Sequence, residues 1–314
     1  MINRRSFVKS ISTISFGSVL IPNQFTEMKG ENYFKASLSP GSIGLKTDAN
    51  KIISQAYKYN FSAISPLLSE LISFSLKQID DYRSKMKKHN LVFDAAGLPI
   101  QFRLDEANFL KDYEVLKNNL PKISKFKIPG FITWIMPTNN EFPYLKNFNI
   151  HKSRLKKVAR LLNKYDMKLG LEYVGPKTLM SRDKFPFIHT IAELRSLIHE
   201  IKEDNVGYLL DSFHMYCSED KPSDYEFLKK EDIVSVQIND AVMGRSPSEQ
   251  IDFERNLPGI TGVINLKQFL SILKSKFYNG CISVEPFNKE IYNMEENKKL
   301  IAVSNSLQNT FNLV

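Results

Sequence analysis

The chain has 314 residues, of which 42% are hydrophobic and 11% aromatic, so it can bury a large core and is not an intrinsically disordered protein. Its formal net charge is +9, but the lysines and arginines are dispersed and form no long basic run, which argues against a nucleic-acid-binding protein. Two cysteines are too few for a disulfide-based scaffold.

Residues 1–32 are predicted to be a twin-arginine-type signal peptide and linker. Arg4 and Arg5 are followed by Phe7, Lys9 and a mildly apolar stretch over residues 11–21, which is the pattern of a twin-arginine export signal. The apolar stretch is too short to be a stable membrane anchor. We therefore expect an exported, periplasmic protein. The alternative is a basic N-terminus that matches the pattern by chance.

Strand and helix patterns alternate over residues 33–314. The predicted strands are Tyr33–Leu38, Phe61–Ile64, Leu91–Ala95, Lys127–Ile135, Lys168–Tyr173, Val206–Asp211, Ile233–Ile238 and Ile282–Glu285. The predicted helices are Asp48–Tyr59, Leu76–His89, Glu106–Asn118, His151–Tyr165, Ile191–Lys202, a short one near Ser223–Lys229, Leu266–Lys276 and Glu295–Phe311. Eight strands that alternate with helices predict parallel pairing and a single-domain α/β protein, a (β/α)₈ TIM barrel.

The last four predicted strands each carry a polar side chain near the C-terminal end. These residues are Glu172, Asp211, Gln237 and Glu285. Because strand side chains alternate between faces, all four are expected on the inner face of the barrel. The C-terminal face is where TIM-barrel enzymes carry their chemistry. The pattern therefore predicts a functional site at this face.

Three carboxylates and an amide that converge would repel one another, and a divalent cation would remove the conflict. A set of ligands made only of oxygen atoms favours a hard cation, so we predict one Mn²⁺ or Mg²⁺ ion. The alternative is that each polar side chain separately caps its strand or pairs with a lysine.

Five segments resemble signatures of the xylose isomerase-like TIM-barrel superfamily, and more closely of its sugar phosphate isomerase/epimerase branch. They are Leu171-Glu-Tyr173, Leu209-Leu-Asp-Ser-Phe-His214, Val236-Gln-Ile-Asn-Asp-Ala241, Leu257-Pro-Gly259 and Ser283-Val-Glu-Pro-Phe287. The resemblance covers the chain from about Ala36 to Phe287. It implies that the four polar strand ends bind one metal ion, that Glu172 and Glu285 also act as acid/base groups, and that His214 contacts a substrate oxygen.

The chain departs from the family pattern at two places. Gln237 stands where many family epimerases have histidine, and it resembles the metal site of 3-dehydroshikimate dehydratases of the same fold. The family's usual Gly-Glu-Gly after the proline is here Pro258-Gly-Ile-Thr-Gly262, which lacks the glutamate. The role of that loop is therefore open.

Two further residues are candidates for substrate binding. Trp134, near the end of the fourth predicted strand, could stack on a sugar face, with rim packing as the alternative. Arg245, after the seventh strand, could meet an anionic or polyhydroxy substrate, or could be a surface arginine. The five histidines are too few for a multi-zinc repair endonuclease of the same superfamily.

The sequence thus predicts a metal-dependent isomerase or epimerase of a small sugar, keto-sugar or related polyol. Two carboxylates on opposite faces of a substrate can remove and return a proton α to a carbonyl through an enediolate. The alternatives are a 3-dehydroshikimate-type dehydratase and a non-catalytic exported sugar-binding barrel. We expect a small carbohydrate-like substrate and no nucleic-acid partner or stable membrane anchor, while a homo-oligomer is an open alternative.

Overall fold

A computed structural model describes residues 33–314, so the predicted signal peptide and linker lie outside the described residues. The strands are β1 Lys35–Leu38, β2 Ala63–Ile64, β3 Val92–Phe93, β4 Ala96–Gly97, β5 Gly130–Ile135, β6 Thr138–Asn139, β7 Lys168–Tyr173, β8 Phe185–Pro186, β9 Val206–Asp211, β10 Ile233–Ile238 and β11 Cys281–Val284. Nine of them form one curled parallel sheet in the order β3-β2-β1-β11-β10-β9-β7-β5-β4. The other two, β6 and β8, pair antiparallel.

The curled sheet closes into a barrel through a kinked third strand. Strands β3 and β4 stand at the two ends of the sheet order, yet only Asp94 and Ala95 separate them in the chain. The carboxylate of Asp94 accepts hydrogen bonds from Ala95 N at 2.7 Å and from Ser235 Oγ, on β10, at 2.8 Å. One kinked strand therefore bridges β2 and β5, and the predicted TIM barrel is confirmed.

Helices cover the outside of the barrel. They are α1 Lys51–Lys58, α2 Leu68–Leu71, α3 Leu76–Lys88, α4 Glu106–Ile123, α5 Tyr144–Asn163, α6 Lys177–Met180, α7 Ile191–Ile201, α8 Ser212–Ser218, α9 Leu266–Ser275, α10 Lys289–Asn293 and α11 Glu296–Phe311. Helix α9 buries Leu266, Phe269, Leu270 and Leu273, the spacing of a helix with one apolar face. Within residues 33–314, no helix is long and apolar enough to cross a membrane.

Helix α8 differs from the sequence expectation and positions part of the site. The sequence pattern predicted the helix between β9 and β10 near Ser223–Lys229, where the structure has only a short 3₁₀ helix, Pro222–Tyr225. Instead, the carboxylate of Asp211 accepts a hydrogen bond from Phe213 N at 2.6 Å and caps a helix directly after β9. An aspartate that satisfies a free N–H group at a helix start is a strong initiator. The cap places His214 in the first turn, directly above the end of β9.

Candidate active site

Strand register brings the polar strand ends to one depth in the barrel. Asp211 on β9 lies in register with Gln237 on β10, and Glu172 on β7 lies in register with Trp134 on β5. Gln237 also lies in register with Ser283 on β11, two residues before Glu285. Register partners in a parallel sheet point to the same face, and side chains two residues apart share it. Glu285 follows directly after β11. The four predicted ligands therefore sit at the C-terminal ends of their strands.

Arg255, which sequence reasoning missed, lies among these carboxylates and is 1% exposed. Its Nη1 is 3.1 Å from Asp211 Oδ2 and 3.2 Å from Glu285 Oε2, and its Nη2 is 2.6 Å from Asp252 Oδ1. Charge-assisted bonds of this kind are the strong ones in proteins. One guanidinium thus links two of the predicted ligands to a third carboxylate, Asp252, that the sequence did not single out.

Packing holds the guanidinium of Arg255 in place. Its Cζ lies 4.7 Å from the ring centre of Phe213 and 4.9 Å from that of Phe287. Its Nε donates to Asp252 O at 2.8 Å. A guanidinium between two aromatic faces gains cation–π stabilisation and loses its freedom to rotate. These contacts therefore hold the guanidinium of Arg255 in its orientation toward the carboxylates.

Asn239, after β10, ties two of the site strands together. Its Nδ2 donates to Asp211 Oδ2 at 3.0 Å, and its Oδ1 accepts from Glu285 N at 2.8 Å. The neighbouring Asp240 accepts hydrogen bonds from the backbone N–H groups of Ala241, Thr261, Gly262 and Ile264. Asn239 therefore fixes the distance between β9 and the segment that carries Glu285. Asp240 orders the loop over residues 258–262, which departs from the family pattern.

The cluster holds more negative charge than Arg255 can neutralise. Burial raises the pKa of Glu172 well above its usual value, and the carboxylates of Glu285 and Asp211 raise it further. Burial also raises the pKa of Glu285 to about 7, although Arg255 opposes the shift. Glu172 is buried, whereas the side chain of Glu285 is 20% exposed. Two glutamates whose pKa values are raised suit acid/base chemistry.

His214 is held in its neutral form beside this cluster. Burial and the nearby Arg255 lower its pKa to about 4, and its Nδ1 accepts a hydrogen bond from Gly175 N at 3.3 Å. Nε2 also faces a donor, Arg255 Nη2, at 3.4 Å, so the two contacts do not select one tautomer. That Nε2 lies 3.8 Å from Glu172 Oε1, too far for a direct hydrogen bond. Nε2 therefore faces the carboxylate cluster beside Glu172.

The donor atoms fit a divalent cation. Ligand atoms of Glu172, Asp211 and His214 all lie within 4.8 Å of one another. Among residues 33–314, Glu172 Oε1 and Gln237 Oε1 are buried without a hydrogen-bond partner, which is costly unless something positive meets them. The reach of the His214 imidazole widens the choice of ion beyond Mn²⁺ and Mg²⁺, because imidazole also suits Zn²⁺.

Trp134 and Arg245, the two further candidates for substrate binding, differ in position. Trp134 lies on the inner face next to Glu172 and is 48% exposed. Arg245 lies outside the cluster, where its Nη1 is 2.7 Å from Glu254 Oε2. The substrate-binding roles assigned to both residues stay predictions. The arginine that enters the cluster is the next one in the chain, Arg255.

A sequence signal for Arg255 was present but weak. Asp252-Phe-Glu-Arg255 lies one residue before the Leu-Pro-Gly turn, and an aspartate three residues before an arginine is compatible with an ion pair in one turn. The three carboxylates predicted at the strand ends also require a positive charge to balance them. Neither observation distinguishes a protein cation from a metal ion.

Comparisons with known proteins agree with this architecture. A family model described as "Xylose isomerase-like TIM barrel" matches residues 53–307. An inosose isomerase of Halalkalibacterium halodurans is 29% identical over 195 residues, which is 60% of this chain and 64% of that protein. The chain therefore spans less than two thirds of the length of this curated relative.

Two solved structures share the fold. A xylose isomerase domain protein from Alicyclobacillus acidocaldarius superposes with a TM-score of 0.78 at 24% identity, covering 89% of this chain and 99% of that one. The IolI protein, solved with a bound zinc atom, gives a TM-score of 0.73 at 19% identity, covering 88% and 98%. At these identities the likeness shows the fold.

Proposed function

Because the chain belongs to the xylose isomerase-like TIM-barrel family, we propose that it is a divalent-metal-dependent isomerase or epimerase of a small sugar, keto-sugar or related polyol. The observation that carries the proposal is the pair of glutamates, Glu172 and Glu285, whose pKa values are both raised in a cluster built around Arg255. The match to an inosose isomerase supports a polyhydroxy ketone as the substrate class.

The residues of the site can carry the steps of proton transfer. A glutamate whose pKa lies near neutrality can accept a proton α to a carbonyl and return it, and a second glutamate can do the same on the opposite face. Arg255 balances the charge of the carboxylates, and His214, beside Glu172, is placed to contact a substrate oxygen atom. Trp134 offers an exposed aromatic face to the apolar side of a sugar ring.

We propose that Glu172, Asp211, Gln237 and Glu285 hold one divalent ion, with Mn²⁺ and Mg²⁺ the expected ions and Zn²⁺ the alternative. When bound, such an ion supplies Lewis-acid stabilisation of negative charge on the substrate oxygen atoms. The buried, unpartnered oxygens of Glu172 and Gln237 support this assignment. Elemental analysis of protein purified without chelator should find about one such ion per chain.

Hydrogen exchange in D₂O tests the reaction class. Metal-loaded protein is incubated with ketoses, aldoses, inososes and 3-dehydroshikimate and followed by proton NMR. An isomerase or epimerase should introduce deuterium at one carbon α to the carbonyl, because the abstracted proton exchanges before it returns. An unsaturated product without exchange back into substrate would indicate the dehydratase. Ligand-induced thermal stabilisation without either reaction would indicate a binding barrel.

Variants assign the roles in the same assay. Glu172→Gln and Glu285→Gln should each abolish exchange, while Glu290→Gln, at an exposed position on α10, should leave it unchanged. The metal content of each variant is measured alongside, because both glutamates are also proposed ligands. Exchange at the full rate in both Gln variants would refute the acid/base assignment.

A further inference from the structure

Arg103, in the segment between β4 and α4, lies against Trp134 at the rim of the site. Its Cζ is 4.2 Å from the ring centre of Trp134 and 4.3 Å from that of Phe102. Its Nη2 donates to Thr133 Oγ1 at 2.9 Å and to the carbonyl oxygen of Trp134. Phe102 is fully buried, so the guanidinium rests on a fixed aromatic surface beside the indole.

No anionic partner for this guanidinium lies among the described residues. Within residues 33–314, no carboxylate lies within 4.0 Å of it, and neither its Nε nor its Nη1 has a hydrogen-bond partner. Arg154 and Arg255, which are more deeply buried, are both paired with carboxylates, at 2.9 Å and 2.6 Å respectively. A desolvated cation is costly when no negative group balances it. Arg103 is thus an exception that calls for a ligand.

The neighbouring imidazole of His151 does not balance the charge of Arg103. Burial lowers its pKa to about 10, so it remains protonated at neutral pH. The nearby His151 is neutral, since burial lowers the pKa of its imidazole to about 4 and the charges of Arg103 and Arg154 lower it further. The imidazole therefore neither balances nor adds to the positive charge.

Arg103 is within reach of a ligand in the site. Trp134 lies in register with Glu172, and neighbouring strands are about 4.8 Å apart. A substrate whose reacting carbon is near Glu172 and which extends past the edge of the indole would bring its far end to the guanidinium. The planar fork of an arginine matches carboxylate and phosphate oxygens.

We infer that Arg103 binds an anionic oxygen group of the substrate, a carboxylate or a phosphate, at the end remote from the reacting carbon. The substrate class is then an acidic keto-sugar or acidic polyhydroxy ketone rather than a neutral one. This inference deepens the proposed function, which sets the position of the reacting carbon near Glu172.

A matched ligand series tests the charge preference. D-fructose, D-fructuronate and D-fructose 6-phosphate share one keto-sugar framework and differ in a neutral, carboxylate or phosphate end. We expect calorimetry on the metal-loaded protein to show at least about tenfold tighter binding of one or both anionic members. Comparing D-fructuronate with D-fructose 6-phosphate shows whether the site prefers a carboxylate or a phosphate. Raising NaCl from about 0.05 to about 0.5 M should weaken only the anionic members.

Variants assign the preference to Arg103. Arg103→Met keeps the apolar stem and should reduce the anionic preference to within about twofold, while D-fructose binding changes by less than about twofold. Arg103→Lys should keep part of the preference. Arg195→Met is the matched control, because Arg195 on α7 also stacks on an aromatic ring, Phe227, at 4.2 Å, and it should change nothing.

Two results would overturn the inference. One is a wild-type protein that prefers neither anionic ligand, and this measurement needs no variant to fold. The other is an Arg103→Met protein that loses affinity for the neutral and anionic ligands by the same factor. The binding assay does not depend on turnover, so absent hydrogen exchange together with a lost preference in Arg103→Met would refute the proposed function alone.

Discussion

Arg255 determines the charge balance of the candidate site. Four carboxylates approach it or one another, those of Glu172, Asp211, Asp252 and Glu285, and it is the only cation bonded to them among residues 33–314. A buried ion pair adds little over an apolar replacement, but removing one partner leaves an uncompensated charge. The site therefore needs Arg255 whether or not a metal ion is bound.

We expect Arg255→Met to destabilise the metal-free protein by about 3 kcal/mol or more, because three carboxylates lose their counterion. Added Mn²⁺ should restore more of the free energy of unfolding in this variant than in the wild type, since a divalent cation can take over part of the compensation. Urea unfolding with chelator and with Mn²⁺ measures both effects. Equal stabilisation of the two proteins by Mn²⁺ would contradict the account, and Arg245→Met serves as the surface control.

His151 makes the free energy of unfolding depend on pH. It is 3% exposed, and its folded-state pKa, about 4, lies below the unfolded value of 6.5. The unfolded chain therefore takes up the proton first, so stability falls as pH drops from about 6.5 toward 4, by up to about 3 kcal/mol for this residue.

The variant His151→Gln keeps a side-chain N–H donor for Asn147 O, which His151 Nδ1 contacts at 2.9 Å, and does not titrate. Its free energy of unfolding should fall less than that of the wild type between about pH 7 and about pH 4. Urea unfolding across this range gives the difference, to which His214 contributes equally in both proteins. Parallel curves for the two proteins would show that His151 is not the titrating group.

Strand β9 approaches the neighbouring backbone very closely at Gly207. A Cβ atom at Gly207 would lie 2.1 Å from Asp232 O, in the segment before β10. A side chain there cannot be accommodated unless the backbone shifts, and β9 carries Asp211 at its other end. The close approach of the two strands therefore depends on glycine.

Gly207→Ala should destabilise the protein by about 3 kcal/mol or more, because overpacking against backbone has no cheap relaxation. Gly97→Ala, in β4, is the matched control, since a Cβ atom at Gly97 meets nothing within 4 Å. It should change the free energy of unfolding by no more than about 0.5 kcal/mol. Chemical unfolding measures the free energy of unfolding of both variants. Similar losses of stability in the two variants would contradict the requirement for glycine at position 207.

The elements that the sequence predicted best are the ones that carry the site. The bounds of β7, β9 and β10 are those predicted from the sequence. A strand buried on both faces consists of consecutive apolar and small residues, which makes its limits easy to locate. The third strand was predicted as one piece, whereas Asp94 kinks it. Helix α5 begins at Tyr144 rather than His151, where the ring of Tyr144 packs against Phe187 at 5.2 Å.

The positions of Arg255 and Arg103 could not be predicted from the sequence. Both lie in connecting segments, and their partners come from other strands: Arg255 bonds to Asp211 and Glu285, and Arg103 stacks on Trp134. Side-chain alternation along a strand fixes which residues face inward, but nothing local fixes where a loop arginine will lie. The inward carboxylates could therefore be predicted, whereas their protein counterion could not.

Charge is distributed unevenly over the protein as a whole. The net charge is +9, yet the polar groups buried at the barrel mouth are mainly carboxylates, with Arg255 among them. The excess of positive charge is thus a property of the outer surface and the N-terminal residues. An electropositive exterior raises the local concentration of anionic ligands, which agrees with an acidic substrate.

The last prediction concerns where the protein is delivered. We propose that Arg4 and Arg5, which lie outside the described residues, are the receptor-read part of an export signal and that the protein is periplasmic. Replacing both with lysine should leave the precursor in the cytoplasm, because the charge is kept but the arginine pair is lost. Immunoblots of cytoplasmic and periplasmic fractions measure the distribution, with Arg83→Lys, on the exposed side of α3, as the matched control. Twin-arginine export carries folded proteins, so the retained precursor should hold the same metal and show the same hydrogen exchange as the exported protein. An unchanged distribution between the two fractions would reject this route.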